Sequence, residues 1–212
     1  MIQGVAVLGE VDENPLVLSV DAVQERLARG VEAYNREHAG DFMVPLVISG
    51  EFAEFGAVLR RAAAAYPLAR TLAELFHPLP VRVGAAFGGI NPEAASDPEQ
   101  MDGPAFDAAG ELLYRTRKEE RLLLVQGGDA ALDALANALF LVLYRDLRGW
   151  TERQCEVVRL YRRYHRQQDV ARELGVSQQS VSSSLAAAGW KVLAEAEDAL
   201  GNLVSPRPVE RG

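Results

Sequence analysis

The sequence predicts a mixed fold, α/β or α+β, in the first two thirds of the chain and an all-α module after it. Three observations carry this. Apolar runs with strand character alternate with segments of helical periodicity up to about residue 128. The segments that follow are helical, and Gly149 is the only punctuation before the last of them. Charge changes along the same direction: the first 140 residues carry about −10 and the rest about +2, within a total of −8.

Gly4 to Val11 (GVAVLGEV) suits a buried strand, broken by Asp12, Glu13, Asn14 and Pro15. Asp21 reads as a helix N-cap with Gln24 three residues on. Val23, Leu27, Val31 and Tyr34 follow at helical spacing as far as Gly40. Phe42 to Ser49 reads as a strand, and Pro45, which lacks an N–H, predicts an edge position or a bulge there. Gly50 turns the chain, and Glu51 to Phe55 is the expected hairpin partner. Ala57 to Phe76 reads as a helix, kinked or ended by Pro67. Val81 to Gly88 (VRVGAAFG) alternates as a strand does, and Asn91 to Gly103 is a loop rich in Pro, Asp and Ser. Pro104 to Arg117 is a helix with Pro104 in its first turn. Arg121 to Gln126 (RLLLVQ) is a second buried strand, ended by Gly127-Gly128, and Asp129 to Arg148 is a strongly apolar helix. This alternation alone admits α/β as well as α+β. No internal repeat occurs.

A chain of 212 residues is long enough for a core without metal or disulfide staples. The single cysteine, Cys155, cannot form an internal bridge, so nothing points to an oxidising compartment. Met1 to Glu10 has no basic residue before its apolar run, unlike a signal peptide. The most apolar stretch, Ala130 to Tyr144, is interrupted by Asp133 and Asn137 and is too short to span a bilayer. The expectation is a cytoplasmic protein with no membrane partner. The acidic total taken alone disfavours nucleic acid. Between Arg145 and Arg172, however, arginines outnumber acids two to one, and phosphate attraction is a local effect.

That basic segment has an ordered pattern. Thr151 and Gln154 form a capping box that opens a helix. Val157, Val158, Tyr161 and Tyr164 supply its apolar stripe. Arg159, Arg162, Arg163 and Arg166 lie at spacings of three and four, which predicts one shared face. Gln168 to Leu174 is a short helix stopped by Gly175, and Ser177 caps the next. The Ala171 to Ser177 run (ARELGVS), with its Thr-x-Arg-Gln start, resembles the helix-turn-helix of sigma-factor region 4. The resemblance covers about 50 residues. It implies that Ala171 sits where two helices cross, and that Val170, Leu174, Val176, Val181 and Leu185 form a shared core. It also implies that Ser177, Gln178, Gln179, Ser180, Ser182 and Ser183 present a reading helix to a major groove. Glutamine can bond adenine bidentately, and serine bonds either donors or acceptors. The arginines would hold phosphates, which positions the module without reading sequence. The reading helix itself carries no Lys or Arg before Lys191. A helical module that docks on protein is the alternative reading.

In the first part of the chain, AVLGEV (Ala6 to Val11), SGEFAEF (Ser49 to Phe55), VRVGAAFGGI (Val81 to Ile90) and DGPAF (Asp102 to Phe106) occur in an order and spacing that resemble the SatD family. That family looks like a relative of the class III nucleotide cyclase fold followed by a helix-turn-helix. The resemblance therefore implies a ferredoxin-like, nucleotide-cyclase-like α+β domain over residues 1–128, a connecting or dimerisation helix over 129–149, a helix-turn-helix domain over 150–200 and a tail over 201–212. Cyclases hold two metal ions on two aspartates. The matching positions here are Glu10 and Glu51, each one methylene longer; the alternative is that both are solvated carboxylates at strand ends. The resemblance also places Asp107 and Glu111 where active cyclases carry an Asn and a transition-state Arg, and Gly110 where SatD-like sequences often carry an Arg. Nucleotidyl transfer develops negative charge, and two acids at that point oppose it. The expectation is a domain that is not an enzyme, with no catalytic residue to name.

Other chemistry is thin. His38, His77 and His165 have no metal-ligand spacing, and Gly84, Gly88 and Gly89 fit a closely packed strand better than a phosphate loop. The expected function is a regulator that binds double-stranded DNA, with the cyclase-like domain as dimerisation or sensor unit. Homodimers would present two reading helices to a two-fold operator. Mg²⁺ and a nucleotide are the ligands this reading leaves open. A metal-dependent nucleotide enzyme and a protein-interaction adaptor are its alternatives.

Overall fold

In a computed structural model, which describes residues 1–12, 17–49, 53–91 and 102–204, the chain is α+β. Five strands, β1 (Ile2–Val11), β2 (Phe42–Ser49), β3 (Glu54–Leu59), β4 (Val81–Ile90) and β5 (Leu123–Gln126), form a mixed sheet in the order β2-β3-β1-β4-β5. Its pairs are antiparallel except β4 with β5, which run parallel. β1 is central and nearly all buried, which explains why it reads as a continuous apolar run. β2 lies at the edge with an irregular register around exposed Pro45, where a missing N–H costs no ladder bond.

Four helices complete this unit: α1 (Val20–Glu37), α2 (Ala65–Phe76), α3 (Pro104–Lys118) and α4 (Ala130–Arg148). Ala6, Val58, Ala86 and Leu124 of the sheet pack with Ala105, Phe106, Ala109 and Leu112 of α3. The close approach depends on Gly84, where a Cβ would lie 2.1 Å from the Ala109 carbonyl oxygen. Val5, Val7, Val83 and Ala85 alternate with that set and are also buried, so the sheet is covered on both faces. α1 and α2 pack on each other and against β2 and β4 to form the second layer. The stripe Val23, Leu27, Val31 and Tyr34 is the buried face of α1.

Two expectations are corrected. The N-cap of α1 is Ser19, not Asp21; its hydroxyl accepts from the Ala22 N–H at 3.3 Å, and Asp21 lies within the first turn. The stretch from Ala57 to Phe76 is not one helix. Ala57 to Leu59 complete β3, a 3₁₀ turn covers Ala62–Ala64, and α2 starts at Ala65. Pro67 therefore falls in a first turn, where its missing donor has no partner to lose.

The second compact unit, Gly149–Gly212, holds α5 (Glu152–Tyr164), α6 (Gln167–Leu174), α7 (Gln178–Ala187) and α8 (Trp190–Val204). The Thr151–Gln154 capping box is formed. Val157, Val158, Val170, Ala171, Val181 and Leu185 are buried, whereas Leu174 and Val176 are half-buried. The Trp150 indole N–H donates to the Ala188 carbonyl at 3.1 Å and ties the start of the unit to the end of α7. Among the described residues, no helix is long and apolar enough to cross a membrane.

Candidate functional site

The sharp turn between α6 and α7 rests on Gly175, which has φ of 63°. That left-handed conformation costs glycine nothing and most other residues a strained backbone. Two residues later Ser177 caps α7: its hydroxyl accepts from the Ser180 N–H at 3.1 Å and lies 2.9 Å from the Ser180 hydroxyl. Val181 and Leu185 point into the core, and the exposed face of the N-terminal part of the helix is polar. Ser177, Gln178, Gln179, Ser180, Ser182 and Ser183 are all exposed. Gln178 and Ser182 stand one turn apart, as do Gln179 and Ser183, so the four form two adjacent rows. None of these four makes an intramolecular side-chain hydrogen bond among the described residues, and their donors and acceptors are open to a partner.

The expected four-arginine face is split. Arg159 and Arg163 are exposed and one turn apart on α5, and Arg166 is exposed at the start of α6. No ion pair engages these three among the described residues. Arg162 turns the other way. Its Nη1 and Nη2 donate to Glu197 of α8 at 2.6 and 2.9 Å, and its guanidinium lies 4.7 Å from the Trp190 ring. Trp190 in turn meets Tyr161 edge-to-face at 5.5 Å. Arg162 is thus part of the packing between α5 and α8. Spacing on one helix could not reveal this, because the partners lie about 30 residues later in the chain.

A second cluster gathers at the end of β1. Glu10 is 8% exposed, and its carboxylate is clasped by Arg117 of α3, with Nε donating to Oε1 at 2.6 Å and Nη2 meeting Oε2. Arg82, its register partner on β4, lies 3.8 Å from Oε1 and also pairs with Asp12. The hydrogen bond it donates to the Glu10 carboxylate holds the Arg117 guanidinium above its ordinary pKa. Val11, Ala53 and Glu54 complete a cavity of about 370 Å³ around these groups. The sequence places Glu10 at a strand end but carries no sign of its two arginines, which come from distant segments.

Glu10 as placed does not fit a divalent cation. Both its oxygens already meet a guanidinium, and two positive groups stand where a metal would lie. Among the described residues no three of His, Cys, Asp and Glu are grouped as a metal site. Glu51, the other expected ligand, lies outside the described residues. Asp107 and Glu111 are exposed on α3, one turn apart. Gly110 between them is half-buried, and a Cβ there would meet only Leu8, at 3.9 Å.

No protein-family model matches this chain, and no curated protein is significantly similar to it.

Proposed function

We propose that this chain is a DNA-binding transcriptional regulator, with α6, the Gly175 turn and α7 as a helix-turn-helix and α7 as its reading helix. One observation carries the reading. The N-terminal half of α7 exposes Gln178, Gln179, Ser182 and Ser183 with free hydrogen-bonding capacity, while its opposite side is anchored by Val181 and Leu185. An exposed helix end of that kind is what a major groove admits. Arg159, Arg163 and Arg166 supply unpaired positive charge in the same unit, suited to phosphates.

The first unit is read as a degenerate cyclase-like domain of SatD type. In support, its first four strands and two helices follow the βαββαβ order of a ferredoxin-like fold, with β1 between β3 and β4. The acids Asp107 and Glu111, and the arginine-clasped Glu10, argue against nucleotidyl transfer there.

Fluorescence anisotropy with labelled duplexes from the region upstream of the chain's own gene tests the reading against a scrambled duplex. Preferential binding is expected, and three phosphate contacts give a log–log salt slope of about −2.7. No binding at about 50 mM salt, where phosphate contacts are strongest, removes DNA as the partner.

A further inference from the structure

α7 presents a face without charge. Gln179, Ser183 and Ala186 follow at steps of four and three, on the side opposite buried Val181 and Leu185. Gln178 and Ser182 flank this line on one side and Ala187 on the other, and all six are exposed. The helix has neither Lys nor Arg. It is also held at both ends. Ser177 caps its start, and at its far end the Trp150 indole bonds the Ala188 carbonyl at 3.1 Å, where Gly189, with φ of 68°, turns the chain. A face fixed in this way keeps its order of side chains when a partner docks, at little cost in lost freedom.

That order matches one kind of base pair. A carboxamide sets a donor and an acceptor side by side. Adenine answers it with the N7 acceptor and the N6 donor. Guanine shows two acceptors, O6 and N7, which suit the donors of Arg or Lys. Ala186 and Ala187 offer methyl groups, and in the major groove only thymine has a methyl to meet them. Gln179 and Ala186 stand two turns apart, about 10 Å along the axis, which is close to three base-pair steps. Both ends of the face therefore select A·T pairs, the first through the adenine edge and the second through the thymine methyl.

Building on the reading of α7 as the reading helix, we propose that its target is a run of A·T pairs, with adenines facing Gln178 and Gln179 and thymine methyls against Ala186 and Ala187. Discrimination between sequences is then made by uncharged groups, while the phosphate contacts of Arg159, Arg163 and Arg166 set the overall affinity. Added salt weakens binding to every duplex but leaves the ratio between A·T-rich and G·C-rich duplexes unchanged.

Selection of duplexes from a random pool by the full chain, followed by anisotropy on the enriched duplex, is the test. The expected result is a run of about three A·T pairs. Replacing an adenine of that run by 7-deazaadenine, which lacks the N7 acceptor, should weaken binding about tenfold at the positions that face the two glutamines. Replacing a thymine by uracil should weaken it about fourfold at the alanine end, the worth of one buried methyl group. Gln178→Ala/Gln179→Ala should lose the response to 7-deazaadenine and keep the response to uracil, with an unchanged far-ultraviolet circular dichroism spectrum. Enrichment of G·C pairs, or binding indifferent to both base analogues, overturns the inference and leaves the DNA-binding reading standing. A double variant that still responds to 7-deazaadenine overturns the role given to the glutamines. Absence of binding to any duplex at about 50 mM salt overturns the inference together with the reading it rests on.

Discussion

Asn137 of α4 closes the edge of the sheet by bonding both backbone groups of Val125: the Val125 N–H donates to Oδ1 at 2.8 Å, and Nδ2 donates to the Val125 carbonyl at 2.8 Å. The side-chain amide thus takes the place of a neighbouring strand. At the other edge Asn35 of α1 does the same for Leu46 of β2, at 2.9 and 2.7 Å. An open edge is a template for pairing with another chain, and both edges here are blocked at one residue.

Asn137→Ala should therefore leave a buried N–H and carbonyl without partners and cost about 2–4 kcal/mol. Asn137→Asp should be no better, because a carboxylate cannot donate to the Val125 carbonyl. Urea denaturation measures the loss, and light scattering at partial unfolding should report increased aggregation. Asn35→Ala is expected to behave alike. Wild-type stability in either variant would mean that water replaces the amide without cost.

Arg162 and Arg163 are neighbours in sequence with opposite roles. Arg162→Ala removes both guanidinium hydrogen bonds to Glu197, whose side chain is 10% exposed, and the cation over Trp190. It should lower the stability of the second unit by about 2–4 kcal/mol, near the value for breaking a buried pair. Arg163→Ala should change stability by less than about 0.5 kcal/mol, as exposed positions do. It should weaken binding to all duplexes alike and flatten the salt slope by about one. Thermal melts and anisotropy on the two variants separate these roles.

Gln178→Ala and Gln179→Ala should act on sequence preference. Each bidentate base contact that is lost should cost about 1–3 kcal/mol on the preferred duplex and little on a scrambled one. Equal losses on both duplexes would place these side chains on the phosphate backbone instead.

Stability should fall at alkaline pH. Burial raises the phenol of Tyr34 well above the ordinary tyrosine value of 10.0, against the smaller opposing effect of Arg70. Burial likewise raises Tyr144, against the charges of Arg148 and Arg82. The folded chain thus holds these protons more tightly than the unfolded one. Their contribution is complete below about pH 10 and is lost as pH climbs towards the folded values, by about 1.4 kcal/mol per pH unit for each tyrosine. Denaturation midpoints from about pH 8 to 11.5, a range that spans the unfolded value, with tyrosinate absorbance as a second reading, check this. Tyr34→Phe and Tyr144→Phe should each flatten the decline.

Much of the fold was legible because local signals were strong. The periodic stripe of α1, the Thr151–Gln154 box, Gly175 and Ser177 each act over short stretches of chain, so pattern alone places them. The helix expected from Ala57 failed for the opposite reason. Ala57 to Leu59 are short apolar residues without a breaker, and only pairing with β1 and β2 makes them a strand.

The sequence by itself determined most of the succession of elements and the polar character of the start of α7, since these follow from periodicity, capping and side-chain chemistry; the strand pairings that make the class α+β came from the tertiary structure. Tertiary structure alone decided which charges are free. Arg162 and Arg163 are identical residues on one helix, yet the fold brings Glu197 and Trp190 to the first and leaves the second exposed, over the neighbouring Tyr164 ring and without an ion pair among the described residues. It likewise brings Arg117 across 107 positions to Glu10 and converts an expected metal ligand into half of an ion pair. Coulombic partners are fixed by distance in space, and spacing along the chain carries no record of that distance.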